Sequence, residues 1–177
     1  MRFFTLILFA TSLFAVEYDS LLMRAQASVF PKIMLLDKDI ADKTVSETLV
    51  LSIVYSSDEL LLANEFKGFI NKEFKGQLGA YEFEVELVDI DDFTKSDSSS
   101  AYFLFNASDS TKQEVVSHTI EQQRICFSYN YKDFNNKVLI SLFVKEKTYI
   151  YLNKSVLHDY GVKFVPIFYK IAKVKES

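Results

Sequence analysis

The feature that most constrains the fold is residues 49–55, LVLSIVY, a segment nearly continuous in apolar residues and rich in β-branched ones. A strand of this composition suits a position covered on both faces, as in the parallel sheets of α/β proteins. Residues 101–105 (AYFLF) and 125–129 (ICFSY) have a similar composition. The sequence therefore predicts a sheet whose central strands are buried from both sides.

Apolar residues at helical spacing occur between these strands. They predict helices over residues 18–30, 58–75 and 110–122. Ser56 and Glu59 form a capping-box pair at the start of the second of these helices. Because helical and strand patterns alternate along the chain, we expect helices to pack on both faces of the sheet.

The outer strands are predicted from alternation and spacing. Residues 81–88 alternate strictly between apolar side chains and glutamates, which predicts a strand near an edge with one wet face. Residues 138–144 and 148–152 are two strand candidates at hairpin spacing, which adds antiparallel members to the sheet. Two short helices are expected after them, one before Gly161 and one beginning at Pro166.

Together these patterns predict an α/β fold: a single domain with a mixed β-sheet and helices on both faces, a three-layer α/β sandwich. The length of 177 residues fits one domain. Pro31 is expected to end the first helix, and Ser110, with Gln113, to cap the third. Residues 94–100 (TKSDSSS) are predicted to form a mobile loop.

The first 15 residues have the pattern of a secretory signal peptide. Arg2 precedes an apolar run that closes on the small residue Ala15. That run is shorter than the roughly 20 residues that a transmembrane helix needs, which disfavours a membrane anchor. We expect cleavage near Ala15, which leaves residues 16–177 as one exported α/β domain with no direct membrane insertion.

Residues that usually carry chemistry are sparse. His118 and His158 are the only histidines, and neither has a partner at metal-binding spacing except the adjacent Asp159. The aspartates within residues 89–92 are interpreted as a solvated strand end rather than as an acid–base or calcium site. GxSxG, GxGxxG, Walker and CxxC patterns are missing from the sequence. We therefore expect a protein that is not an enzyme, with no catalytic residues, no metal and no cofactor.

The charge balance bears on the class of partner. The chain has 20 basic residues against 24 acidic ones, for a formal net charge of -4. A nucleic-acid binder would need a basic face, which this composition does not indicate. Nucleic acid is therefore not an expected partner.

Cys126 is the only cysteine, so the chain cannot form an internal disulfide. It lies within an apolar run and is predicted to be a small buried thiol. The alternative is a reactive thiol or an intermolecular disulfide, which would link a homodimer.

Tyr129, Tyr131 and Phe134 are the candidate partner-binding residues. They fall on the segment YNYKDF after a buried strand, where the loops of α/β sheets commonly carry binding residues. If these rings are exposed, Tyr131 and Phe134 should be removable at little cost to stability. The alternative, that the rings fold back onto the core, is left open by the sequence.

The C-terminal part of the chain contains, in order, a strand, a hairpin, an asparagine-marked step, a glycine and a last helix. They are residues 125–129, residues 139–144 with 149–152, Leu152 with Asn153, Gly161, and residues 167–174. In this order the chain resembles the YfiR family of small bacterial periplasmic proteins, most closely over its C-terminal third. Upstream, Phe30 and Pro31 resemble the family's aromatic–proline step, with Phe in place of the usual Trp.

The resemblance implies a function and a location. It implies a periplasmic, non-enzymatic regulator that binds the periplasmic part of an inner-membrane signalling protein, typically a diguanylate cyclase, and holds it inactive. The hairpin lacks the family's usual glycines and has Asn136 and Lys137 there, and the paired cysteines of some members are missing. Redox control through an internal disulfide is therefore not expected. The alternative function is a periplasmic small-ligand-binding protein that serves a sensor or a transporter.

Overall fold

The computed structural model describes residues 19–94, 98–105 and 108–176. The predicted signal peptide and residues 95–97 of the predicted loop lie outside the described residues. The α-helices of the described chain are α1 (Ser20–Met34), α2 (Leu60–Phe74), α3 (Asp109–Glu121), α4 (Lys154–Tyr160) and α5 (Phe168–Ile171). Its strands are β1 (Thr48–Tyr55), β2 (Gln77–Leu78), β3 (Tyr81–Asp89), β4 (Ala101–Leu104), β5 (Ile125–Ser128), β6 (Ile140–Val144), β7 (Thr148–Asn153) and β8 (Ala172–Lys175).

The strands form one mixed sheet in the order β2-β3-β1-β4-β5-β6-β7-β8. The strands from β3 to β6 in this order are mutually parallel. β2 is antiparallel to β3, and β7 is antiparallel to β6, while β8 runs parallel to β7. Numbered along the chain, the five parallel strands have the order 2-1-3-4-5, which is one of the two common orders of doubly wound α/β sheets.

Helices cover both faces of this sheet, as predicted. On one face, Phe30 of α1 stacks on Phe127 with ring centroids 4.5 Å apart, and Phe66 of α2 stacks on Phe103 at 4.3 Å. We call this side the α1 face. The other side is the α3 face. There the hydroxyl of Tyr102 in β4 lies 3.2 Å from the imidazole Nε2 of His118 in α3. Successive side chains of a strand point to opposite faces, so both faces of the central strands are buried.

Most of the predicted elements are confirmed. β1 is central, lies between β3 and β4, and is buried along its length. β3 alternates exposed glutamates with inward apolar residues and lies next to the edge. β6 and β7 form the predicted hairpin, and Gly161 ends α4 with a positive φ of 60°.

Three predicted boundaries are wrong. Pro31 does not end α1, which continues to Met34. Pro31 removes one backbone hydrogen bond from the last turn, yet the helix continues because Ile33 and Met34 beyond it are buried. The cap of α3 is Ser108 rather than Ser110, because the Ser108 side chain accepts from the backbone N–H of Thr111.

The third wrong boundary is at the C-terminus. A last helix was expected over residues 167–174, but α5 ends at Ile171 and the next four residues form β8. These residues pair with β7, whose outer edge would otherwise be open. Pairing with β7 therefore overrides the local helical pattern.

Part of the predicted mobile loop is packed against the sheet. Ser99 and Ser100 are buried, and Ser100 donates its backbone N–H to the carbonyl of Val50 at 2.9 Å. The backbone N–H of Val50 in turn donates to the Ser100 hydroxyl at 3.0 Å. The expectation of mobility is therefore wrong for this end of the segment.

Candidate binding groove

The candidate site is a groove of about 210 Å³ on the α3 face, near the β8 edge of the sheet. Its lining is mostly aromatic and consists of Tyr131, Phe134, Phe143, Tyr151 and Lys175. The register places Phe143 and Tyr151 on the same face as Ser128 and Ser141. The groove is therefore built by the hairpin, the edge strand β8 and the segment that follows β5.

A short 3₁₀ helix, Tyr131–Asn136, forms one wall of this groove. It begins at Asn130, whose side chain accepts from the backbone N–H of Lys132 at 3.0 Å. It ends at Lys137 in the left-handed region, with φ at 63°. This turn brings Tyr131 over the hairpin, where its ring meets Phe143 edge to face with centroids 5.4 Å apart.

Buried polar contacts hold the 3₁₀ helix in place. Asp133 is buried and accepts from the ammonium of Lys112 on α3 at 2.8 Å. The hydroxyl of Ser128 at the end of β5 also donates to Asp133. The side chain of Asn153, at the end of β7, donates to the carbonyl of Phe134 at 3.2 Å. Breaking this buried ion pair would leave an uncompensated charge, so separating the 3₁₀ helix from α3 is unfavourable.

Two lysines of β8 give the groove a positive rim. The Lys175 ammonium lies 5.7 Å from the ring centroid of Tyr131 and 5.9 Å from that of Phe134. The Lys173 ammonium lies 3.6 Å above the ring of Tyr149. Cations over aromatic faces at these distances are attracted by the ring quadrupole. The groove therefore offers aromatic walls with positive charge beside them.

The positive rim is part of a wider charge asymmetry. Residues 124–177 contain 10 Lys and Arg against 4 Asp and Glu, whereas residues 1–123 contain 10 against 20. The groove thus lies in the basic part of an otherwise acidic chain. A partner that presents negative charge beside an apolar side chain would match this surface.

Of the three candidate residues predicted from the sequence, two line the groove and one lies elsewhere. Tyr131 is 39% exposed and Phe134 is 2% exposed, and both line the groove. The expectation that Phe134 could be removed at little cost is therefore wrong, because its ring is part of the core. Tyr129 lies away from the groove, with its ring stacked on Phe105 at 6.0 Å.

Tyr129 instead anchors the start of α1. Its hydroxyl accepts from the backbone N–H of Asp19 at 2.9 Å, and its carbonyl accepts from the buried side chain of Gln26 at the same distance. Burial raises the pKa of Tyr129 above its ordinary value. These contacts give Tyr129 a structural role, in line with the alternative that its ring folds back onto the protein.

Sequence reasoning missed Phe143, Tyr151 and Lys175 as groove residues. The alternation of the hairpin could have placed Phe143 and Tyr151 on one face. Lys175 could not have been found in that way, because the sequence pattern predicted a helix where β8 occurs. The groove therefore combines one predicted loop with three strands, β6, β7 and β8, whose pairing brings its other walls together.

The other chemistry-bearing residues do not converge on a site. His118 is buried beside Tyr102, and His158 is exposed, with its Nδ1 3.9 Å from Asp159. Asp89 accepts from the hydroxyl of Ser57 at 2.8 Å, which fits the interpretation of a strand end. Among the described residues, no group of three or more His, Cys, Asp or Glu side chains is placed to hold a metal ion. No helix in the described part of the chain is long and apolar enough to cross a membrane.

Comparison with known proteins gives a likeness in fold. No protein-family model matches the chain, and no curated protein matches it either. A similar solved structure is the ABC domain in complex with L-Trp from Streptococcus pneumonia, which is 12% identical with a TM-score of 0.50. The match covers 80% of this chain and 61% of that one, so this chain spans less than two thirds of its length. This likeness agrees with the α/β architecture described above.

Proposed function

We propose that the chain is an exported, non-enzymatic regulator that binds the periplasmic part of an inner-membrane signalling protein and restrains it. The signalling protein is of the diguanylate-cyclase type that the resemblance to the YfiR family implies. The groove lined by Tyr131 receives the partner. The single observation that carries this proposal is the exposed aromatic ring of Tyr131 at a groove, on a 3₁₀ helix joined to α3 by a buried ion pair.

The size and chemistry of the groove favour a protein partner. Cavities for small ligands usually measure about 300–1,000 Å³, whereas this groove measures about 210 Å³. Tyr and Phe are enriched at protein interfaces, and Tyr is among the residues that most often anchor them. The groove can accept one side chain of a partner, with Lys175 beside it.

The alternative is a periplasmic small-ligand-binding protein that serves a sensor or a transporter. L-Trp is a ligand of the Streptococcus domain, and at 12% identity that likeness concerns the fold alone. A small ligand would have to occupy the aromatic groove in place of a partner side chain. The two functions therefore predict different results when the same variant is tested with membranes and with metabolites.

The proposal is tested by capture from membranes with the mature protein. We expect the wild type to recover a membrane signalling protein and Tyr131→Ala to recover at least about tenfold less of it, because interface energy concentrates in a few aromatic anchors. Tyr169→Ala is the matched control, since Tyr169 is 44% exposed and does not line the groove. Equal capture by the two variants would contradict the assignment of the groove.

Two further measurements accompany the capture experiment: one checks that the Tyr131 variant is folded, and the other separates the two functions. Tyr131→Ala should lower the free energy of unfolding by less than about 2 kcal/mol, because it loses only an exposed ring contact. If no membrane signalling protein is recovered and a metabolite raises the unfolding temperature of the wild type but not of Tyr131→Ala, the small-ligand function is supported instead.

A further inference from the structure

The sheet has open strand edges at both ends, along β3 beyond the short β2 and along β8. β2 pairs only with Tyr81 and Glu82, so in the described part of the chain no strand covers residues 84–89 of β3 on their outer side. β8 is the last strand at the other end and pairs with β7 alone. Open strand edges carry backbone donors and acceptors that can pair with another chain.

The two edges carry opposite charges on the same face of the sheet. Glu84 and Glu86 of β3 are exposed, and the register places Glu86 in one row with Ser52 and Tyr102 on the α3 face. Lys173 on β8 is exposed and shares the α3 face, because it lies beside Tyr151. Lys175, two residues further on, points to the same face. A glutamate edge and a lysine edge therefore flank one side of the sheet.

The opposite face of both edges is apolar. On the α1 face β3 carries the buried Val85 and the partly buried Leu87, and β8 carries Ala172 and Val174. Val174 is 51% exposed, which leaves this aliphatic side chain in solvent. A groove of about 630 Å³ runs along β3 between Lys67 of α2 and the strand, so the β3 edge is accessible.

The strand directions are also compatible. β3 belongs to the parallel set, and β8 runs opposite to it because β7 is antiparallel to β6. A second copy displaced along the sheet would bring its β3 edge beside β8 as an antiparallel pair, with the α3 faces of both copies on the same side. One register then gives four matched pairs: Glu84 with Lys175, Val85 with Val174, Glu86 with Lys173, and Leu87 with Ala172.

We propose that copies of this chain associate edge to edge, with β8 of one copy paired to β3 of the next. Pairing β8 with β8 would oppose lysines, and pairing β3 with β3 would oppose glutamates, so both symmetric arrangements are disfavoured. The interface is heterologous and produces a series of oligomers rather than one closed dimer. A four-residue ladder is short, so the association is weak, with a dissociation constant of about 10 µM to 1 mM.

The test is sedimentation velocity of the mature chain over a concentration series up to about 1 mM. Lys173→Glu and Glu86→Lys should each weaken the association at least about tenfold, because like charges then face each other. The chain that carries both substitutions regains opposite charges at the pairing and should associate like the wild type. Lys72→Glu and Glu65→Lys, on exposed positions of α2, are controls of equal charge change and should leave the association unchanged.

These outcomes bear on self-association alone. Lys173 is used rather than Lys175, because Lys175 lines the groove proposed to receive the partner, whereas Lys173 lies at its rim, over Tyr149. The measurements are made on the mature chain without a partner, so an effect on partner binding does not enter them. A wild type that stays monomeric across the series would overturn the proposal. So would single charge reversals without effect, or a double variant that does not recover.

Discussion

Cys126 shows how burial decides the chemistry of a single side chain. It lies in β5, is completely buried, and its thiol lies near Thr119 and Tyr160. Burial raises the pKa of the Cys126 thiol to about 12, well above that of a free cysteine. The thiolate, which is the reactive form, is therefore scarce in the native protein at any physiological pH.

We predict that a thiol reagent labels native Cys126 slowly at pH 8 and rapidly after unfolding. Between about pH 8.5, where an unfolded thiol ionises, and about pH 12, only the unfolded state loses its proton. The stability contributed by the neutral thiol is therefore complete below about pH 8.5 and is lost as the pH rises towards 12. Labelling rates measured by mass spectrometry across this pH range check the prediction.

Cys126→Ser is the control, since it removes the only thiol. Rapid labelling of the native protein would contradict the burial of this side chain. A dimer that disappears on reduction would support the alternative of an intermolecular disulfide.

At the scale of elements, the helix-capping pattern predicted before α2 is present in the structure. The Ser56 side chain accepts from the backbone of Glu59, and the Glu59 carboxylate accepts from the backbone N–H of Ser56 at 3.1 Å. This reciprocal pair is the capping box that the sequence predicted. It opens a 3₁₀ turn, Ser57–Glu59, that leads directly into α2.

We predict that Ser56→Ala lowers the free energy of unfolding by about 1 kcal/mol, because it removes an N-terminal cap. The midpoint of thermal unfolding should fall by about 2–4 °C. Ser110→Ala is the matched control: Ser110 was predicted as a cap, but it lies inside α3 and should change stability by less than about 0.5 kcal/mol. A loss below about 0.5 kcal/mol for Ser56→Ala as well would contradict the stabilising cap at Ser56.

The C-terminal elements show the opposite case. The last residues were expected to form a helix that continues to Val174, yet β8 forms there and pairs with β7. The alternation of Lys173, Val174 and Lys175 forms a strand only because β7 lies beside it and pairs with it. Both the positive rim of the groove and the lysine edge depend on this strand.

At the scale of the whole molecule, the proposed function requires export. Mass spectrometry of the native protein should find a mature N-terminus near Val16, because signal peptidase cleaves after a small residue such as Ala15. A cytosolic species that retains Met1 would contradict both the regulator and the small-ligand function. Replacing Leu6 and Ile7 by Asp should keep the chain in the cytoplasm, since charges interrupt the apolar region.

Much of the architecture could be predicted because it depends on local composition. Residues 49–55 are apolar on both sides, so they need cover on both faces, and alternation with helices then predicts a sheet between two helical layers. The hairpin spacing of residues 138–144 and 148–152 adds the antiparallel strands. The alternating glutamates of β3 fixed its place near an edge, since they need water on one side. These features are properties of short segments and hold wherever the segment lies.

The tertiary structure alone decided which residues form the groove. Tyr129, Tyr131 and Phe134 lie within six residues, yet Tyr129 turns towards α1, Phe134 enters the core and Tyr131 stays exposed. The ion pair between Lys112 and Asp133 joins α3 to this segment and has no signature in the local sequence. The pattern of apolar residues in one segment indicates which of its side chains avoid water. Contacts between distant segments depend instead on how those side chains pack together. That packing is a property of the three-dimensional structure and cannot be read from a single segment.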